Sequence, residues 1–486
     1  MLMLPEILVA ATALLVLLLE LFLPPSRRSL VVPLSALGLV AAGGVVVAQF
    51  GVAPAELLGG RYAVDNVALW FKLIFIGATL LTVGLSADAL AARSDTLPAA
   101  RLASGAEYLA VMLFALTGAL YLISARDLVS LYVALETATI PLFGLTAWKR
   151  DGMTSEAGLK YIVLGAFTSA LLLFGLSLLF GLTGSTSFEV IRHSLAAQGA
   201  SGNPGFWLAG VLLLAGIGFK LTLVPFHLWA ADVYQGAPTP VTAYLSVASK
   251  AAGLALMFQL FYQVLGEVLV AWALPLGLLA AATMTLGNLA AIPQHNIKRF
   301  MAFSAISQAG YLILGFVGSS GESVPAMLYY LLVYVLTNLA AFAVIVAVAN
   351  TTGRVRIEDY RGLARCNPVL ALSMMVALFS LSGIPPLSGF VGKFFLFSIA
   401  AEAGMHWLVA VAALNSTISL YYYLRIVRQM YIVPLPEGWG PLRVSPTLVA
   451  VLLVTTIATL VLGIIPGVYE GIHAHTTQWL FALLRP

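Results

Sequence analysis

Apolar runs of about twenty residues recur along the whole chain, and each is long enough to cross a hydrocarbon core of ~30 Å as a helix. No soluble fold accommodates that pattern. Of the 486 residues, 61% are hydrophobic and 9% charged. Soluble domains carry about 25% charged residues, so a core of this size cannot hide so much apolar surface from water. A closed β-barrel would show alternating segments of ~10 residues, and the sequence has none. The expectation is an all-α integral membrane protein with no strands. Its transmembrane helices number about fourteen, over 5–23, 30–50, 66–86, 106–124, 127–148, 159–181, 206–226, 240–263, 269–290, 299–318, 326–349, 369–399, 404–427 and 447–466. The twelfth span is too long for one straight helix and holds Ser382-Gly383-Ile384-Pro385-Pro386 at its middle, so a break is expected there. The N-terminus lacks a basic segment ahead of its first apolar run, which reads as a retained helix.

Orientation follows from the connections between spans. The odd-numbered ones carry fifteen Lys and Arg; the even-numbered ones and the tail carry only Arg61, Arg126, Arg192 and Arg485. The odd connections are therefore expected on the cytoplasmic side of a bacterial inner membrane, with both termini opposite. A net charge of +4 reflects this topology rather than a nucleic-acid partner. A single cysteine, Cys366, excludes an internal disulfide and a Cys-based metal or Fe–S site.

The five remaining basic residues are Lys72, Lys160, Lys220, Lys250 and Lys393, all inside expected helices, whereas no arginine lies deep in one. Burial can neutralise a lysine but not an arginine. Lysine at depth is what a proton carrier requires. Lys220 precedes Pro225, which cannot donate to the carbonyl of Leu221. Glu136 stands alone in the fifth span, and Pro141 likewise frees the carbonyl of Thr137. An isolated ionisable group at mid-membrane costs about 2.5–3.5 kcal/mol on insertion scales and is functional by default. A Glu136–Lys220 pair is expected, as a switch in which one partner's proton shifts the other's. Lys250 follows a polar stripe of Thr242, Ser246 and Ser249. Lys393 follows the break in span twelve. Lys72 and Lys160 lie within two turns of a helix end, where snorkelling to the surface is an equal alternative. His227 and Asp232 sit near the cytoplasmic end of span seven, His227 suited either to proton exchange or to a structural hydrogen bond. His295 reads as a surface residue. Spans seven and twelve resemble each other and run in opposite directions, which suggests two inverted five-helix repeats with discontinuous helices seven and twelve. The domains are then 1–100, a three-helix segment; 101–265, helices 4–8; 266–430, helices 9–13; and 431–486, helix 14 and tail. No GxxxxGK[ST] loop and no dinucleotide fingerprint are present, so the driving energy is expected from a gradient or a partner.

Phe219-Lys220, Pro225-Phe226-His227-Leu228-Trp229, Asp232 through Val241 (DVYQGAPTPV) and Ser249-Lys250-Ala251 resemble the signature of the antiporter-like membrane subunits of NADH:quinone oxidoreductase, respiratory complex I. So does Asn296-Ile297-Lys298-Arg299-Phe300-Met301-Ala302-Phe303-Ser304. GAPTPV, the stretch SGIPPLSGFVGKF ending in Lys393-Phe394, and Ile418 through Arg425 (ISLYYYLR) resemble the subunit N branch. The resemblance implies a proton-translocating subunit whose relay is Glu136, Lys220, Lys250 and Lys393. Gln308, where the family often has histidine, becomes a hydrogen-bonding candidate only. It also implies no cofactor on this chain, with FMN, Fe–S clusters and quinone in partner subunits, and other complex I membrane subunits and lipid as partners. A subunit of a multi-subunit cation/proton antiporter, a related ferredoxin-driven photosynthetic complex and a non-pumping structural subunit are the rival readings.

Overall fold

The computed structural model describes residues 2–24, 29–51, 55–91, 105–318, 320–437 and 440–483. Arg27, Arg28, Arg93, Arg101 and Arg485, five of the charges behind the expected orientation, lie outside them. The chain runs α1 (Leu4–Phe22), α2 (Val31–Gln49), a hairpin of β1 (Ala55–Leu57) and β2 (Tyr62–Val64), α3 (Asn66–Ala91), α4 (Gly105–Ser124), α5 (Leu128–Thr146), α6 (Gly152–Thr183), α7 (Phe188–Ala197), α8 (Pro204–Leu221), α9 (Leu228–Gly236), α10 (Thr239–Tyr244) and α11 (Lys250–Phe258). It continues through α12 (Ala273–Ala291), α13 (Ile297–Ile313), α14 (Ser323–Thr352), α15 (Leu363–Cys366), α16 (Pro368–Ser382), α17 (Ser388–Glu402), α18 (His406–Tyr431), α19 (Pro446–Ile464) and α20 (Gly467–Leu483). Among the described residues, twelve helices are long and apolar enough to span a bilayer. One of them, Thr239–Val264, is α10 joined to α11 by a π-helical stretch, Leu245–Ser249, and extended by a second, Gln259–Val264. The other two expected spans fall on α13, of 17 residues, and on the pair α16 and α17.

Three features depart from expectation. The connection after α2 holds an antiparallel strand pair, Ala55↔Val64 to Leu57↔Tyr62, where no strand was expected. It turns through Leu58, Gly59 and Gly60, all at positive φ, so local turn chemistry makes it rather than an apolar period. The connection after α6 folds into α7, whose Phe188, Ile191 and Leu195 are buried. That i, i+3, i+7 spacing is an amphipathic helix too short to stand out beside membrane spans. The tail after α19 is also helical, with Ile472 and Thr476 buried.

The breaks have a common cause. α8 ends at Thr222 (φ +60°) and α16 at Gly383 (φ +87°), both left-handed. The next N–H reaches back to close each end, Leu223 to the Gly218 carbonyl at 2.7 Å and Ile384 to the Phe379 carbonyl at 3.0 Å, the pattern of a Schellman motif. Proline follows three residues after each left-handed residue, and both Val224–Pro225 and Pro385–Pro386 are cis. The seventh expected span therefore stops at Leu221, and its second half, α9, lies beyond the residues assigned to it from sequence. The first residues of the fifth and tenth spans match as well. Asp127 caps α5 and Asn296 caps α13 through side-chain acceptors, and each makes an isolated bridge with a residue sixty positions downstream, Ser187 and Arg356.

Contacts between connections sort by parity. Arg126 N–H donates to the Arg61 carbonyl at 3.0 Å, Arg192 and His193 meet Glu267, and Glu322 meets His473 at 2.7 Å; all are even connections or the tail. Lys298 donates to the Ala237 carbonyl at 2.8 Å, Arg425 to the Ile292 carbonyl at 2.6 Å, and His295 pairs with Glu358 at 3.0 Å; all are odd. The His295 hydrogen bond holds the Glu358 carboxyl below its ordinary range.

α14 runs through the centre and is buried along nearly all its length. Around it the broken helix closes tightly, because Gly389 at the start of α17 donates its N–H to Ser380 Oγ at 3.0 Å and a Cβ there would land on the Ser380 carbonyl oxygen. Gly389→Ala is expected to destabilise the protein by about 1–3 kcal/mol through overpacking, whereas Gly471→Ala, which meets open space, is expected to be neutral. Thermal unfolding in detergent checks both; equal melting of the two variants would contradict the close approach.

Candidate functional site

A row of buried polar groups crosses the middle of the protein, and its cations sit on broken helix ends. Lys250 Nζ donates to the Leu221 carbonyl at 3.1 Å and to Thr222 Oγ1. Lys393 Nζ donates to the carbonyls of Leu381 at 2.8 Å and Ser382 at 3.2 Å, and to Ser416 Oγ at 3.2 Å. These carbonyls close α8 and α16. The last carbonyls of a helix lack intrahelical donors and carry the negative end of its dipole. A cation there makes charge-assisted hydrogen bonds worth about 1.5–3 kcal/mol each, comparable with the insertion cost of about 2.5–3.5 kcal/mol. Lys393 also lies over the Tyr311 ring at 4.3 Å. The carbonyl of Leu221, which Pro225 leaves free, is the one that Lys250 takes.

Thr222 is unusual at its position. A β-branched residue at φ +60° is a conformational outlier, costing about 1–3 kcal/mol. Its hydroxyl is the Lys250 acceptor, a contact that glycine, the cheaper residue, does not provide. Gly253 completes the seat, since a Cβ there would lie 3.1 Å from Lys220 Cβ and from the Leu221 side chain. Its absence lets α11 pack closely on α8.

Lys220, in the last turn of α8, donates to Thr139 Oγ1 of α5, one turn beyond Glu136. No ion pair joins Lys220 to Glu136, contrary to expectation. The α8 end aims the ammonium at the hydroxyl, while Glu136 faces α6, where Ser169 donates to its Oε1 and Tyr132 OH lies 3.1 Å from Ser169 Oγ. Lys220, Lys250 and Lys393 are buried and Glu136 is half-buried. Gln308 bridges the second half: its Nε2 donates to the Leu381 carbonyl at 3.0 Å, and it accepts from Tyr330 OH. Gln308 and Lys393 thus share one carbonyl oxygen.

Residues on α14 join the two halves, and the sequence reading missed them. Tyr334 OH donates to the Ser246 carbonyl at 2.8 Å and Asn338 Nδ2 to Ser246 Oγ at 2.5 Å. Thr337 Oγ1 lies 3.3 Å from Ser380 Oγ. With Tyr330 they stand at i, i+4, i+7 and i+8, one helix face. The signal was present as a polar stripe in YYLLVYVLTN, but it contains no ionisable side chain other than tyrosine. The Ser246 carbonyl lies in the π-helical stretch before Lys250, where the helical ladder is out of register.

At the odd-connection end, Asp232 pairs with Lys160 at 2.8 Å and with Arg299 at 2.5 Å, and Lys160 also pairs with Glu156 at 2.7 Å. Glu156, Lys160 and Asp232 line a cleft of about 180 Å³ with Met153, Ala157, Gln235 and Gly236. Lys160 is 41% exposed and reaches the surface, the snorkelling alternative. Lys72 does the opposite: it is fully buried and pairs with Glu6 at 2.7 Å, a carboxylate that the sequence reading passed over. His227 is buried at the junction of the second half-helix, and His295 is exposed.

The family model described as NADH:quinone oxidoreductase/Mrp antiporter, TM, matches residues 125–419. The chain is 43% identical over 464 residues to NADH-quinone oxidoreductase subunit N of Moorella thermoacetica, covering 95% of this chain and 94% of that one. It is similar to a chain of respiratory complex I from Thermus thermophilus determined with bound aureothin, at a TM-score of 0.80 and 36% identity over 97% of this chain and 100% of that one. A chain of the Mrp complex from Dietzia sp. shares the fold, with a TM-score of 0.85, 21% identity and 99% of both chains covered.

The Thr222 hydroxyl can be isolated by substitution. Thr222→Val keeps the strained, β-branched position and removes the acceptor, so a loss of about 1–3 kcal/mol is expected. Thr222→Ser keeps the hydroxyl and is expected to melt with the unaltered protein. If Thr222→Val melted there too, the hydroxyl would not be holding the ammonium.

Proposed function

The chain belongs to the NADH:quinone oxidoreductase/Mrp antiporter membrane family, and on that basis we propose that it is the N-type, proton-translocating membrane subunit of an NADH:quinone oxidoreductase. It performs no redox chemistry itself. FMN, Fe–S clusters and quinone are handled by partner subunits, and its neighbours are the other antiporter-like and small membrane subunits. The observation that carries the proton reading is the pair of buried lysines, Lys250 and Lys393, each seated on the open carbonyl end of a broken helix and linked through α14.

The relay comprises Glu136, Lys220, Lys250 and Lys393. Thr139 of α5 takes the Lys220 ammonium in place of Glu136, so Glu136 acts on Lys220 through space rather than by contact. A proton lost from Lys220 removes a charge that Glu136 feels, and the reverse. Gln308 cannot titrate at neutral pH; it steadies the Leu381 carbonyl under Lys393. Protons are taken up at the Lys160–Asp232 cleft, the cytoplasmic side by the Lys/Arg bias, with both termini opposite. The fourteen-span count and the two inverted repeats, 101–265 and 266–430, are supported by the matched breaks at Thr222 and Gly383 and the matched caps at Asp127 and Asn296. The driving signal arrives as a change in charge at the neighbouring subunit, which the half-buried Glu136 is placed to receive.

Glu136→Gln and Lys220→Met are each expected to lower the proton-to-electron ratio of the assembled complex in vesicles while NADH oxidation with added uncoupler continues. Unchanged ratios in assembled, active complexes of both variants would defeat the assigned relay.

A further inference from the structure

A second set of buried ionisable groups lies apart from the relay, between the N-terminal helices and the even connections. Glu6 on α1, 3% exposed, pairs through Oε1 with Lys72 Nζ on α3 at 2.7 Å and accepts from Tyr62 OH of β2 at 2.8 Å. Lys72 Nζ donates to the same phenol oxygen at 3.0 Å. Both partners of the carboxylate crowd one of its oxygens. The other, Oε2, is buried with no partner among the described residues. A buried carboxylate oxygen without a donor is costly, and protonating that oxygen lowers the cost because a neutral O–H is cheaper to bury than a charge.

The surroundings set the charge balance. Asp65, at the start of α3, pairs with Arg126 at 2.7 Å and accepts from Ala68 N–H at 2.8 Å. Arg126 also donates to the Ala125 carbonyl at 2.9 Å and to Gln259 Oε1 at 3.4 Å. Gln259 belongs to the span that carries Lys250. From α4, the Tyr121 ring packs tilted against Tyr62 at 5.3 Å between centroids and Ser124 faces the same phenol. With Glu6 and Asp65 ionised and Lys72 and Arg126 charged, the set is neutral. One added proton makes it positive, so a further positive charge arriving nearby drives that proton off.

We propose that the Glu6–Tyr62–Lys72 cluster is a proton-binding site in the half of the protein next to the even connections, with Glu6 Oε2 as the atom that takes and gives the proton. On loading, a water-borne proton forms an O–H bond at Oε2 and Glu6 becomes neutral. On release that bond breaks and the proton passes to water at the even-connection surface, where Arg126 is partly open. Lys72 and Tyr62 stay protonated throughout and act as positioning residues that hold Oε1 and leave Oε2 free. In the proposed function this is a release station opposite the uptake cleft, and the inference rests on that reading only for the direction of flow.

The test uses the intact complex. Infrared difference spectra of the purified complex between alkaline and acidic buffer should contain a neutral carboxylic acid band that is lost in Glu6→Gln and shifted in Glu6→Asp. The band should also change during NADH-driven turnover. In vesicles, Glu6→Gln should slow proton release at the even-connection side at least threefold, and Glu6→Asp should recover part of it. If Glu6→Gln does not assemble, glutamate-labelled and Glu6→Asp complexes give the same spectral comparison. A Glu6 that shows no protonated band at any pH, or a band indifferent to turnover, would overturn the proposal and leave a structural ion pair. That result is separable from failure of the relay, which is read from the Glu136 and Lys220 variants without reference to Glu6.

Discussion

The structure depends on one contact repeated: a lysine ammonium on the carbonyl end of a helix that stops in mid-membrane. An unbroken helix offers no acceptor there, because every interior carbonyl already receives an N–H four residues on. Stopping α8 at Leu221 and α16 at Ser382 opens acceptors at depth and points the negative end of each dipole at a cation. Irregular backbone at that depth is tolerated where it is buried in protein. The burial of α14, the Gly253 and Gly389 approaches and the placement of Lys250 and Lys393 all follow from having to enclose those ends.

The two seats reach the same geometry with different residues. Gly383 adopts its left-handed angle without a Cβ penalty, and the hydroxyl for Lys393 comes from Ser416 on α18. Thr222 carries the penalty and supplies the hydroxyl itself. In the first half the cation comes from the span after the broken one. In the second it comes from the far side of the same break. The backbone is therefore more symmetric than the side chains: the caps, the bridges and the prolines match, while the titratable groups do not.

This explains what could be read from the residues. The apolar runs and the Pro-containing breaks depend on local chemistry, and the helices fall where that chemistry puts them. The freed carbonyl of Leu221 was legible because proline removes a donor at a known offset. What bonds to that carbonyl was not, since Lys250 is 29 residues away in sequence. The expected Glu136–Lys220 contact rested on charge type, and charge type says nothing about which face of α5 meets α8; Thr139 does. Glu6 was passed over because a carboxylate near a chain end reads as interfacial until a buried partner is seen. The α14 hydroxyls were missed because a search for charged groups does not register Tyr, Thr and Asn. The hairpin, α7 and α20 lie in connections and a tail, where the apolar period that marks membrane spans is absent.

The partners chosen for each cation separate two kinds of site. Away from the central row, several cations are paired with carboxylates, Lys72 with Glu6, Arg126 with Asp65, Lys160 and Arg299 with Asp232, while Lys298 and Arg425 donate to carbonyls. Within the row, Lys220, Lys250 and Lys393 donate hydrogen bonds to hydroxyls and carbonyls and to no carboxylate. A counter-charge in contact holds a lysine's proton firmly, because losing it strands a buried anion. A neutral dipole gives it up at far smaller cost, yet still satisfies the ammonium while the proton is present. Glu136 makes no ion pair with Lys220; its Oε1 accepts from Ser169 instead. A direct pair between Glu136 and Lys220 would hold the lysine's proton more tightly than the Thr139 hydroxyl does.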